Sequence, residues 1–140
     1  MSLITTKSRY GLQLLIHLAD RYGSGPVELG GAARANNIPE HYLAKLALPL
    51  KAAGLIRSAR GQGGGWELAK PPSDIDMLSV VEALEGRSSL LDCTGEPGSC
   101  DQAAGCRPLA VWSGLDRVIK EYLAGLSLAD AAATVLDYVI

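Results

Sequence analysis

In 140 residues with 48% apolar side chains there is material for one compact domain and for a core that needs no disulfides. No run approaches the roughly 18–20 continuous apolar residues of a membrane span. The opening MSLITTKSRYGLQLLIHLADRY spaces polar side chains helically and has no small-residue cleavage site after it, so the expectation is a cytoplasmic protein with no membrane partner. The net charge of −2 hides two unlike halves. Residues 1–72 hold nine Lys or Arg against four Asp or Glu, and residues 73–140 hold four against eleven. The asymmetry points to a basic working face on the first half.

Tyr10, Leu14, Leu15, Leu18 and Tyr22 recur at three and four residues and predict an amphipathic first helix, with Arg9, Gln13, His17 and Asp20 on its wet side. After the loop GSGP, VELGGAARAN predicts a short second helix that stops at Asn36-Asn37. Pro39 suits the first position of a third helix. Along it Tyr42, Leu43, Leu46, Leu50 and Leu55 can face inward, with Glu40, His41, Ala44, Lys45 and Ala47 turned outward. Pro49 removes a backbone hydrogen bond and predicts a kink or a break between Leu46 and Leu50. Gly54 suits the left-handed residue that ends this stretch.

From Leu55 the period changes to alternation: LIRSAR, then GQGGG, then WELAK, closed by Pro71-Pro72, which predicts a hairpin with a glycine tip. The glycines at 61, 63, 64 and 65 do not form a nucleotide-binding loop, because a strand follows them and no Gly-Lys-Ser/Thr is present. Three helices followed by a basic hairpin make a winged helix-turn-helix. There the third helix enters the major groove and the hairpin reaches toward the backbone or the minor groove of double-stranded DNA. The candidate contacts are His41, Tyr42 and Lys45 at the start of the third helix, Lys51 near its end, and Arg57 and Arg60 on the wing. Gly61, Gly63 and Gly64 join them, since bare backbone lets N–H groups approach phosphates. Each has a plainer explanation: Tyr42 as core, His41 as merely exposed, the lysines as solvation of a helix face. Their order along the chain favours DNA.

In the second half, SDIDMLSVVEALEG predicts a helix capped by Asp76 and ended by Gly86. A long helix then starts near Pro108, and Val111, Trp112, Leu115, Val118, Ile119, Tyr122 and Leu123 give it a broad apolar stripe. Packing on the first helix would cover that stripe. So would a second copy of the chain, which a helix-turn-helix protein uses to grip two half-sites, and a homodimer is the expectation. Between these helices lies CTGEPGSCDQAAGC, which holds all three cysteines, Cys93, Cys100 and Cys106. Gaps of six and five residues are wider than the two-to-four-residue knuckle of structural zinc. A loose ring of thiolates suits an iron-sulfur cluster, with zinc or incidental thiols as the alternatives. Cys106 immediately precedes Arg107-Pro108, where a helix N-terminus favours its thiolate. With two histidines in all, none near the cysteines in sequence, and no paired acidic motif, the chain does not read as an enzyme.

From end to end the chain resembles the IscR and NsrR type of bacterial winged-helix regulators, also called the Rrf-two family. LITTKSRYGLQLLIHLA, VELGGAARANNIP and YLAKLALPLKAAGLIRSARGQGGGWELAKPPSDIDMLSVVEALEG carry the resemblance; the wing SARGQGGGWELAK is its most specific part and the three-cysteine loop the next. The resemblance implies a mainly α fold with a small β-hairpin. A winged helix-turn-helix would occupy residues 1–86, a cysteine-rich cluster-binding loop 87–106, and a dimerisation helix with a C-terminal segment 107–140. It implies a homodimeric regulator of transcription at promoter DNA, with repression as the expected sense of control. Redox, nitric oxide or iron-sulfur status would be sensed through a 2Fe-2S or 4Fe-4S cluster held by Cys93, Cys100 and Cys106. The fourth ligands of such relatives do not transfer. Leu109 stands where one subtype has histidine, and Arg9 and Gln13 stand where others have aspartate, glutamate or histidine. Asp92, Glu96, Asp101, a small molecule or, more weakly, His17 could replace them. The alternative is a cluster-free regulator of cysteine and sulfur metabolism, controlled by thiol chemistry or a partner enzyme.

Overall fold

The computed structural model describes residues 3–59, 64–86 and 107–133. In chain order these form α1 (Thr6–Asp20), α2 (Leu29–Asn36), α3 (Glu40–Ala52), β1 (Ile56–Ala59), β2 (Gly65–Leu68), a 3-10 turn at Pro72–Asp74, α4 (Met77–Glu85), α5 (Arg107–Ala124) and α6 (Leu128–Ala133). The architecture is mostly helical with a two-stranded antiparallel hairpin, as the patterning predicts.

Helix α1 is the centre of the packing, with α2, α3, α4, α6 and β2 all against it. That many neighbours widen its buried arc beyond the predicted stripe. His17, expected on the wet side, is only 9% exposed, and Ser8 and Gly11 are buried as well. Tyr22, expected on the inner face, lies past the helix end and is exposed. The second helix starts at Leu29 rather than Val27, because Val27 is extended and exchanges two 2.8 Å backbone hydrogen bonds with Trp66 of β2. Asn37 ends α2 in the left-handed conformation at φ 55°. Ile38 N–H donates to the Ala33 carbonyl at 2.9 Å there, which fixes the turn into α3.

Pro39 precedes the first turn of α3 instead of opening it. The helix runs unbroken through Pro49 to Ala52, so of the expected kink or break the break does not occur. Its physical reason is packing on both sides of the proline: Leu46, Ala47 and Leu50 are all buried, Ala47 included, although it was expected outside. Beyond Ala53 the chain closes with Gly54 at φ 77°. Gly54 N–H donates to Lys51 at 2.9 Å and Leu55 N–H to Leu50 at 3.0 Å, the paired bonds of a Schellman end. Leu50 and Leu55 are both fully buried, so the helix end and the first wing strand share one anchor.

The wing pairs Ile56 with Leu68, Arg57 with Glu67, Ser58 with Trp66 and Ala59 with Gly65. Ile56 and Leu68 close its base against the core. A Cβ at Gly65 would collide with the Val27 carbonyl, so this glycine answers to close backbone approach within the fold. Asp76 caps α4 by accepting from Ser79 N–H at 2.9 Å, and Gly86 ends that helix at φ 76°. After α5 the chain returns to the first half: Met77 N–H donates to Leu126 at 2.8 Å, Leu128 N–H to Ile75 at 2.7 Å, and Leu128 is fully buried. Ser127 and Asp130 cap α6 reciprocally, each accepting the other's N–H at 3.0 Å.

Candidate nucleic-acid interface and the cysteine segment

The outward edge of α3 carries Glu40, His41, Ala44, Lys45, Leu48 and Lys51, all exposed. Glu40 in the first turn and Lys51 in the last complement the helix dipole. Tyr42 turns its ring inward instead, meeting Tyr10 of α1 edge-on with ring centres 5.6 Å apart at 88°, and so sets the seat of α3. Lys51 joins helix and wing. Its ammonium nitrogen stands 5.9 Å from the centre of the Trp66 ring and 3.5 Å from the Ser58 hydroxyl.

On the wing, Arg57 is 66% exposed at its side chain and donates from Nε to Glu67 Oε1 at 2.9 Å, the cross-strand pair dictated by the register. A surface ion pair of this kind contributes about 0–1 kcal/mol, so a phosphate can compete for the guanidinium. Gly64 sits at the entry to β2, half-buried. Arg60, Gly61 and Gly63 lie outside the described residues.

Cys93, Cys100 and Cys106, with Asp92, Glu96 and Asp101, also lie outside the described residues. The donor set itself, three thiols within a stretch of fourteen residues, fits an iron-sulfur cluster in its chemistry. Among the described residues no group of three or more His, Cys, Asp or Glu is placed to hold a metal ion. His17 is a poor fourth ligand. It is buried, Arg21 Nη1 lies 3.3 Å from its Nδ1, and burial followed by the Arg21 charge depresses its pKa.

The segment's root is nevertheless tightly built. Glu85, the last residue of α4, reaches the N-terminus of α1. Its carboxylate accepts from Thr5 N–H at 2.9 Å, Thr5 Oγ1 at 2.8 Å, Ser8 N–H at 3.2 Å and Ser8 Oγ at 2.6 Å. This cap comes from a residue 80 positions away from Thr5, and no local pattern announces it. At the other end of the segment, α5 packs on α4. The helix leaves Val111, Trp112, Leu115, Val118 and Tyr122 between 42% and 67% exposed. Leu123 alone of the predicted stripe is packed against the core cluster. Asp116, buried on the same helix, pairs with Lys120 at 3.3 Å.

A winged arrangement with one edge of its third helix exposed and carrying Lys45 and Lys51 has counterparts among known proteins. The family model described as an iron-dependent transcriptional regulator, Rrf2, matches residues 4–134. The chain belongs to the Rrf2 family. The regulator CymR of Bacillus subtilis is 38% identical over 130 residues, covering 93% of this chain and 89% of that protein. IscR of Aliivibrio salmonicida is 32% identical over 127 residues, covering 91% of this chain and 75% of its own. The solved structure of CymR, titled the global cysteine regulator of B. subtilis, superposes with a TM-score of 0.80 at 37% identity, covering 95% of this chain and 98% of that one. These relatives are transcriptional regulators, not enzymes, and this chain is a DNA-binding regulator of transcription of their family. Among the described residues no helix is long and apolar enough to cross a membrane.

Proposed function

We propose that this Rrf2 regulator acts in the cytoplasm as a homodimer on double-stranded promoter DNA, and that Cys93, Cys100 and Cys106 hold a 2Fe-2S or 4Fe-4S cluster that governs binding. The observation that carries the DNA reading is the Lys51 bridge, which holds the cationic edge of α3 and the wing as one surface. His41 and Lys45 meet base edges. Tyr42 orients the helix from beneath. Lys51, Arg57 and Arg60 meet phosphates, joined by the backbone N–H groups of Gly61, Gly63 and Gly64. A second copy covers the exposed apolar face of α5, giving the two-fold symmetry that paired half-sites require.

When bound, the cluster supplies a centre whose charge and integrity respond to redox state, nitric oxide or iron supply. The chain's own part is mechanical. Glu85 fixes one end of the cysteine segment to α1, and the other end leads directly into α5, so a change of state between the two ends can alter how the recognition helices sit. Repression is the sense of control proposed.

A second reading, a cluster-free regulator of cysteine or sulfur metabolism controlled by thiol chemistry or a partner enzyme, draws on the 38% identity to CymR. Non-ligating Leu109, Arg9 and Gln13 favour it too.

Titration of a promoter-length duplex at several salt concentrations tests the interface. Lys51→Ala and Arg60→Ala should each weaken binding to all sequences and reduce the log-log salt slope by about 1. Slopes and affinities equal to wild type in both would overturn it.

A further inference from the structure

The DNA-facing edge of α3 has an apolar centre. Leu48 is 63% exposed. It follows Ala44 by four residues and Lys45 by three, so Leu48 and Ala44 stand one turn apart on the face that carries His41 and Lys45. Leu46, Ala47 and Leu50 around it are all buried, so the register of the helix turns Leu48 outward.

One exposed leucine needs no explanation on an ordinary surface. On a surface that meets base edges it does. An apolar side chain pressed against a donor or acceptor edge strips water from that edge and returns no hydrogen bond. In the major groove one base alone offers an apolar group, thymine through its C5 methyl. We propose that Leu48, with Ala44 beside it, reads a thymine methyl, and that this chain selects operators with thymine opposite the middle of α3. The proposal rests on the docking of α3 given above and adds its base preference. Leu48 brings sequence discrimination without charge, whereas Lys51, three residues on, binds phosphate whatever the sequence.

The test uses the full-length protein, purified without oxygen, and the duplex it enriches from a random pool. Each thymine of the enriched site is replaced in turn by deoxyuridine, which deletes only the methyl group. For wild type, one such replacement in each half-site should weaken binding about 3- to 10-fold with the salt slope unchanged. Leu48→Ala should bind the unmodified duplex more weakly by a similar factor and be indifferent to that replacement, the non-additivity expected of two groups in contact. Alanine at an exposed helical site keeps the fold, which a thermal melt verifies. Wild-type protein indifferent to every replacement would overturn the proposal. So would a Leu48→Ala variant with undiminished sensitivity to all of them. A variant with altered oligomeric state but unchanged DNA selectivity would overturn it and assign Leu48 to a contact between proteins. Wild-type protein that enriches no duplex would refute the docking of α3 itself, and the thymine preference with it.

Discussion

Glu85→Ala should destabilise this protein far more than removal of a surface carboxylate usually does. The carboxylate accepts from both backbone and hydroxyl donors of Thr5 and Ser8 at 2.6–3.2 Å. Ser8 is buried, so water cannot freely replace what alanine removes. A hydrogen bond to a charged group contributes about 1.5–3 kcal/mol. Four donors on one half-exposed carboxylate do not add, so about 2–4 kcal/mol is expected in total. For a chain of this length that is about 6–14 °C in melting temperature. Burial raises the Glu85 pKa, but the hydrogen bonds from Ser8 and Thr5 outweigh it and hold the carboxyl below its ordinary value. The folded state therefore favours the ionised form. Its contribution is full above the usual carboxylate range and is lost as pH falls through the lower folded value. The gap in melting temperature between wild type and Glu85→Gln should accordingly close on acidification, measured by circular dichroism at a series of pH values. A Glu85→Ala protein that melts within about 2 °C of wild type, or a gap to Glu85→Gln that stays constant with pH, would refute the reasoning.

Gly65→Ala sets a methyl group against the Val27 carbonyl with backbone on both sides. It should cost about 2 kcal/mol or more and weaken DNA binding even where the protein remains folded, as melting and binding curves on the same preparation will show. Val118→Asp places a charge on the exposed face of α5. Stability of the isolated chain should move by less than about 0.5 kcal/mol while light scattering reports monomers, and persistent dimers would locate the interface elsewhere.

Elements closed by local chemistry were legible in the sequence. Gly54 and Gly86 stop helices because each takes a left-handed backbone, and Asp76 opens α4 with its own side chain. The wing was legible from alternation and glycine. What escaped depends on partners remote in the chain. His17 lies on a face that is polar by periodicity, yet neighbours crowd α1 from several sides. Pro49 breaks helices by local rules, but buried residues on both sides hold α3 through it. Val27 belongs to a helical pattern until Trp66 pairs with it. At the candidate interface, Arg57 could be placed on the wing from the alternation, while its pairing with Glu67 needed the strand register. Leu48 stands out only once the rotation of α3 sets it on the exposed edge with His41 and Lys45.

The most direct test of the proposed function is the content of iron, acid-labile sulfide and zinc per chain, with a visible spectrum, on protein purified without oxygen. The account predicts iron and sulfide together with broad visible absorption, all lost in Cys106→Ala while the fold is kept. Colourless, iron-free protein that also resists reconstitution would contradict it, and would leave a zinc-bound, thiol-based or partner-controlled regulator in its place.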